Sequence, residues 1–391
     1  MMSEILLSSR MNKNNSLSVT KKTLVIVVSI LFFLFSIELL GISLAKMAGS
    51  LTESISVVTA NPFIGLFIGL LSTALLQSSS TTTSIAVAAV ASNAISLQNA
   101  IPIVLGANVG TTITSTIVSM SYISKQKEFR RAVAAGTSHD FFNILSVLLL
   151  FPLEMKYHFL ERISASISSS MHISSSSGLG SSGGFRMTSF FETSTDWLVT
   201  NLGPIISLIL GVLLIFTCIK SISKWLYKIL IGRTKDRFEK VVFRNKYRAF
   251  GWGLVITSLA QSSSLTTSLI VPLVATGKVK VKKAFQFILG ANIGTTITAL
   301  LAAIFQSEAA ISLALVHLLF NLIGVILFLQ MPYLSKIPVL LGKKMGKITV
   351  KIRLVGFIYI LLTFFLLPFT LIYVSKGFEK SPDPLEITSE D

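Results

Sequence analysis

The sequence predicts an all-α polytopic membrane protein of two inverted-topology repeats, each with a re-entrant helical hairpin and broken helices. Three observations carry that expectation. Hydrophobic residues make up 52% of the 391 and charged residues only 13%, about half the share usual in soluble domains. Several apolar runs reach the ~20 residues that cross a bilayer. The third is a duplication. Gln77-Ser78-Ser79-Ser80 recurs as Gln261-Ser262-Ser263-Ser264, and Gly106-Ala107-Asn108-Val109-Gly110-Thr111-Thr112 recurs as Gly290-Ala291-Asn292-Ile293-Gly294-Thr295-Thr296, both 184 residues on. An ungapped spacing between two compound polar clusters marks one unit present twice.

Taken in order, residues 1–22 are polar and basic (Arg10, Lys13, Lys21, Lys22), as a cytoplasmic N-terminal tail is. The first repeat covers 23–153. It opens with a span from Thr23 to Met47 that contains Glu38, too long for a signal peptide and without a small-residue cleavage site. A mildly amphipathic stretch, 48–61, suits the membrane interface. Asn61-Pro62 starts the first hairpin, 62–92, where Gly65 and Gly69 allow close backbone packing. Spans follow at 98–120 and 133–153. Residues 154–197 read as an extracellular Ser/Gly-rich loop, too polar for a packed core. The second repeat, 198–331, contains a span near 198–219, a basic loop at 220–248, the second hairpin at 249–276, and spans at 284–304 and 310–331. Residues 332–375 supply a basic cytoplasmic segment and a last transmembrane helix, and 376–391 a tail expected outside.

Loop charge sets the orientation. The loop at 92–99 carries no charge, whereas its equivalent has Lys278, Lys280, Lys282 and Lys283. The next pair is biased the other way: Lys125, Lys127, Arg130 and Arg131 in the first unit, Glu308 alone in the second. By the positive-inside rule, equivalent loops lie on opposite sides, so the repeats are inverted. The same rule accounts for the net charge of +17 without a nucleic-acid partner. A lone Cys218 excludes an internal disulfide.

The repeated clusters carry the chemistry. In an inverted pair, broken helices put half-helix ends near the bilayer midplane, where irregular backbone must line a cavity. A run of Ser at a helix start offers hydroxyl donors beside backbone N–H groups, and the helix dipole favours an anion. Ser78, Ser79, Ser80, Ser262, Ser263 and Ser264, with Asn108 and Asn292, are the candidate anion ligands, suited to a tetrahedral oxyanion. Hard cations prefer the oxygens of Gln77, Gln261, Thr82, Thr83, Thr111, Thr112, Thr266, Thr267, Thr295 and Thr296. No Lys or Arg lies in either cluster, so a multiply charged anion there needs co-bound cations.

Asp140, in an apolar span and aligned with Leu318, is a further cation candidate, and Glu38 is an intramembrane carboxylate of the same kind unless it faces the water interface. His139-x-x-x-Asn143 and His317-x-x-x-Asn321 each put His and Asn on one helix face, with Asn143 and Asn321 as accessory polar residues and the histidines bonding nearby groups. Single Ser or Thr residues in a membrane also serve as packing residues. A Ser79–His139 hydrolase dyad is a competing reading, but three successive serines in both copies suit a ligand cage rather than a nucleophile, so no enzyme is expected.

At these residues the chain resembles the type II sodium–phosphate cotransporters. The resemblance covers about 23–375 and rests on Asn61-Pro62, the paired Gln-Ser-Ser-Ser and Gly-Ala-Asn motifs, Glu128-Phe129-Arg130-Arg131, and His139-Asp140-Phe141-Phe142-Asn143. It implies inward symport of inorganic phosphate, as the divalent ion, driven by Na+, with alternating access and no organic cofactor. It also implies electrogenic transport, since electrogenic members carry an Asp where Asp140 stands. The short Cys-free loop and the absence of a further apolar segment suit a bacterial member in the inner membrane. Another oxyanion, such as sulfate or arsenate, and a non-transporting anion sensor are the alternatives.

Overall fold

The computed structural model describes residues 23–47, 59–178, 187–231 and 241–378. Expectations for 1–22, 48–58, the Gly-rich stretch 179–186, residues 232–240 of the basic loop and the end of the chain from 379 lie outside the described residues. Seven helical segments among those described are long and apolar enough to cross a membrane, and the chain is a multi-pass membrane protein.

Each repeat has the same internal order. In the first, helices Pro62–Leu76 and Ser79–Ala91 form the hairpin, and Leu97–Gly110 and Ile113–Met120 form one span interrupted at Thr111-Thr112. In the second, Lys246–Ala260 and Ser263–Ala275 form the hairpin, and Val281–Gly294 and Thr296–Ala303 form the interrupted span. The hairpin helices are too short to cross alone. Each chain reversal is built by Gln in the left-handed region, Gln77 at φ 53° and Gln261 at φ 50°, ending one helix before a serine opens the next. Amides tolerate that conformation less readily than glycine, so the position is locally strained.

Small residues bring the hairpins onto the broken spans. Gly69, Gly106 and Gly110 lie where Pro62–Leu76 crosses Leu97–Gly110, and Gly253, Gly290 and Gly294 repeat the arrangement where Lys246–Ala260 crosses Val281–Gly294. A Cβ at Gly106 would overlap the carbonyl of Leu66, and one at Gly290 the carbonyl of Phe250. Backbone thus meets backbone, the small-residue solution to helix packing where lipid supplies no hydrophobic drive.

The helix Gln126–Tyr157, with 32 residues, is about 48 Å long and serves as a ruler between the two units. After the first hairpin, Gln98 bonds His158 at its C-terminal end (3.3 Å). After the second, Gly277 packs against the guanidinium of Arg131 near its N-terminal end. Equivalent loops therefore sit at opposite ends of one helix. Cysteines at exposed Ser166 and exposed Lys280 are accordingly expected to react with an impermeant thiol reagent from opposite faces of the membrane; Cys218, being buried, adds little background. Labelling of both from one face would contradict the inverted arrangement.

One element differs from expectation. Much of the Ser-rich stretch is helical, over Phe159–Gly178 and Met187–Leu202. Ser164 donates to Glu161 C=O (2.9 Å) and Ser170 to Ser166 C=O (2.8 Å), so these hydroxyls are satisfied within the helix. Leu160, Ser164 and Ser168 bury one face, and Ser168 reaches Glu308 C=O at 3.1 Å. The basic segment after the second repeat is also a helix, Pro332–Lys351. It packs against Gln126–Tyr157 through Gly342 and Gly346, leaving Lys336, Lys343, Lys344, Lys347 and Lys351 exposed.

Candidate functional site

The two Gln-Ser-Ser-Ser reversals meet. Ser80 donates its hydroxyl to the carbonyl of Gln261 (3.1 Å), and Ser264 donates to the carbonyl of Gln77 (3.2 Å). Because Ser80 and Ser264 are equivalent, as are Gln77 and Gln261, the contact is reciprocal. Ser80 Oγ also lies 3.3 Å from Thr295 Oγ1.

Local structure explains how the serines divide their work. Ser78 and Ser262 are N-caps in extended backbone, and each accepts from the N–H three residues on, that of Thr81 (3.2 Å) or Leu265 (3.3 Å). Ser79 and Ser263 open the helices, where backbone N–H groups have no intrahelical acceptor. Both are buried. The paired helix starts thus turn donors and positive dipole ends toward one small region. Its halves are unequal. Ser78 Oγ lies 2.8 Å from Thr81 Oγ1, a contact that Leu265 cannot repeat. Thr73 donates to Thr82 (2.9 Å), while its equivalent Thr257 has a hydroxyl without a partner.

A second polar group lies in the core. Asn292 Oδ1 accepts from His139 Nε2 (2.7 Å), and Asn292 Nδ2 donates to Asn143 Oδ1 (2.7 Å). Asn108 Oδ1 accepts from His317 Nε2 (3.2 Å) and Asn321 Nδ2 (3.0 Å). Each repeat's Asn is therefore held by the other repeat's His. Asn143 also donates to the carbonyl of Asn108 at 2.7 Å, which joins the halves. All six residues are buried. Asn108 and Asn292, expected among the anion ligands, thus have their side chains engaged between the repeats. His139 serves this network, with no bond to Ser79 of the kind a hydrolase dyad requires.

Asp140 forms a third group. It is fully buried, and its Oδ2 accepts from Thr116 (2.7 Å) and Tyr359 (2.9 Å), while Oδ1 has no partner. No ion pair among the described residues involves it. Neither Thr116 nor Tyr359 was expected from the sequence, and Tyr359 comes from the last span, outside both repeats. Of the other candidate cation ligands, Thr83 and Thr111 are buried with unpartnered hydroxyls. Thr112, Thr266, Thr267 and Thr296 bond carbonyls of their own turns. Glu38 is apart from all three groups, half-buried in a small pocket with Phe191 and Gln306.

A cavity of about 810 Å³ opens at the paired reversals, lined there by Gln77, Ser78, Ser262 and Leu265. The arrangement offers an anion two helix starts, offers small cations several unpaired oxygens, and leaves a cavity beside the hairpins.

Comparison with known proteins adds an independent observation. The profile of the Na+/Pi-cotransporter family matches residues 32–137 and 213–366, more than half of the chain. The human sodium-dependent phosphate transport protein 2B is 30% identical over 442 residues, covering 88% of this chain and 64% of the relative. The sodium-dependent phosphate transport protein 2A of Rattus norvegicus is 30% identical over 397 residues, covering 83% and 62% respectively. The chain thus spans under two-thirds of the length of these relatives. No solved structure matches it.

Proposed function

The chain belongs to the Na+/Pi-cotransporter family, and from that premise we propose that it carries inorganic phosphate into the cell in symport with Na+. The observation that carries the reading is the reciprocal contact of the two Gln-Ser-Ser-Ser reversals, Ser80 with Gln261 and Ser264 with Gln77. It brings two serine-rich helix starts together in a chain whose relatives are named for sodium-dependent phosphate transport.

In this reading HPO4²⁻ binds between the helix starts, with Ser79 and Ser263 and the first-turn N–H groups donating to its oxygens. No Lys or Arg stands in either cluster, so Na+ supplies the charge that holds a dianion in low dielectric. The unpaired oxygens of Thr83, Thr111 and Asp140 fit small hard cations. Binding of the two ions is then mutually favourable, and one gradient drives the other. Alternating access follows from moving one inverted repeat against its partner. The loops at opposite ends of Gln126–Tyr157 support that inversion. The membrane is a cell membrane, with the N-terminus cytoplasmic and the C-terminus outside.

Proteoliposomes provide the test. An inward Na+ gradient is expected to drive uptake of radiolabelled phosphate, K+ is not, and excess sulfate is expected to leave the rate unchanged. Uptake of sulfate or arsenate in preference to phosphate would identify a different oxyanion carrier. Saturable phosphate binding without flux would identify a sensor.

A further inference from the structure

The 810 Å³ cavity below the hairpin reversals has a charged wall that the symport reading does not use. At one end it is lined by Gln77, Ser78 and Ser262; along one side it is lined by Lys220 and Lys224 of the helix Pro204–Ile231. Among the described residues, no carboxylate lines it. The two lysines are four residues apart and share a helix face with Phe216, over whose ring Lys220 Nζ stands at 4.7 Å.

We infer that Lys220 and Lys224 form a second anion station, which holds phosphate transiently between the hairpin reversals and the cytoplasmic face. The inference rests on the phosphate reading of the hairpins. Two observations converge on it. The polar clusters themselves contain no cation, so among the described residues these two ammonium groups are the formal charges on the wall next to Ser78 and Ser262. From Phe216 to Lys224 the helix rises about 12 Å, so the charges line a path rather than a point. A cleft with one sign of charge and low-dielectric walls raises the local concentration of the opposite ion. Lysine suits a station that must also let go. Its ammonium is a strongly hydrated point charge on a flexible stem, and does not clamp an oxyanion through two parallel bonds as arginine does. Binding strong enough to enter and weak enough to leave is what a transit site requires.

The alternative for these residues is a structural one, in which two lysines reach from an apolar helix to the headgroups. The two roles differ in sidedness. The test uses the full chain in proteoliposomes of fixed orientation, with inorganic phosphate as the probe. The half-saturating phosphate concentration is measured from each face for the wild type, the Lys220→Gln/Lys224→Gln variant and the Lys220→Arg/Lys224→Arg variant. In the double Gln variant, the ratio of cytoplasmic to outer half-saturating concentration is expected to rise about 10-fold. The Arg variant should keep a ratio near that of the wild type, because its charge is retained. An unchanged ratio in the Gln variant would overturn the station, and so would an equal shift at both faces. Should the wild type move no phosphate at all, the reading of the hairpins fails first, a result that no lysine variant can produce.

Discussion

Replacing Asp140 with Gly is expected to leave phosphate uptake in place, abolish the phosphate-dependent current, and reduce the Na+ dependence by one ion. The carboxylate is fully buried, two hydroxyls from Thr116 and Tyr359 converge on Oδ2, and Oδ1 stays unpartnered. An ionised carboxylate in that position costs several kcal/mol unless a cation joins it. In the proposed symport, Na+ would supply the cation and take one net positive charge inward with each phosphate. The membrane potential then contributes ~2.3 kcal/mol per 100 mV to accumulation, and the variant loses that share. Charge per phosphate, measured with voltage-clamped vesicles, decides the matter. A Gly variant that carries the wild-type charge would remove Asp140 from the cation path. A merely structural Asp would show instead as lost folded protein.

The second large effect concerns the crossings beneath the hairpins. Gly106→Val and Gly290→Val are each expected to destabilise the protein by more than ~3 kcal/mol, at the upper end of overpacking penalties. The added atoms meet the main-chain carbonyls of Leu66 and Phe250, which cannot rotate away as a side chain would. Gly251→Ala, in the second hairpin and with nothing within 4 Å of its added Cβ, is the control. It is expected to hold or raise stability by up to ~1 kcal/mol. Detergent-solubilised yield and melting temperature provide the readout. Wild-type values for the two Val variants would mean that the helices do not approach as closely as described.

The duplication was legible because it is one-dimensional, and the expected orientation rests on a pattern of the same kind. A spacing of 184 residues and the exchange of charge between equivalent loops can be read without knowing where any helix packs. The hairpins were legible for the same reason, since Gln-Ser-Ser-Ser interrupts apolar runs too short to cross on their own. Contacts between repeats were not. Nothing in the local pattern at Ser80 points to the carbonyl of Gln261, because that contact exists only after the two hairpins dock. Asn108 and Asn292 stand in the repeated clusters beside the serines, yet their amides bond His317 and Asn321, and His139 and Asn143. A signal was present in the paired His-x-x-x-Asn spacing, whose partners could not be named from the sequence. Tyr359 gave none beyond one hydroxyl in an apolar span, and it lies outside the duplicated region. The helix Phe159–Gly178 was hidden by composition. Serine is a poor guide to backbone state, because its hydroxyl can satisfy itself on a carbonyl of the preceding turn.

The central claim is that phosphate held between the two serine-rich helix starts depends on Na+ for its counter-charge. The most direct test is the phosphate affinity of the purified protein in Na+ and in choline, for the wild type and for Ser79→Ala and Ser263→Ala. Coupling between the ions predicts about 5- to 150-fold tighter binding in Na+. Loss of one hydroxyl donor to a charged ligand predicts a further ~10- to 100-fold weakening in each Ala variant. Equal phosphate affinity in Na+ and choline, with both variants at the wild-type value, would contradict the account.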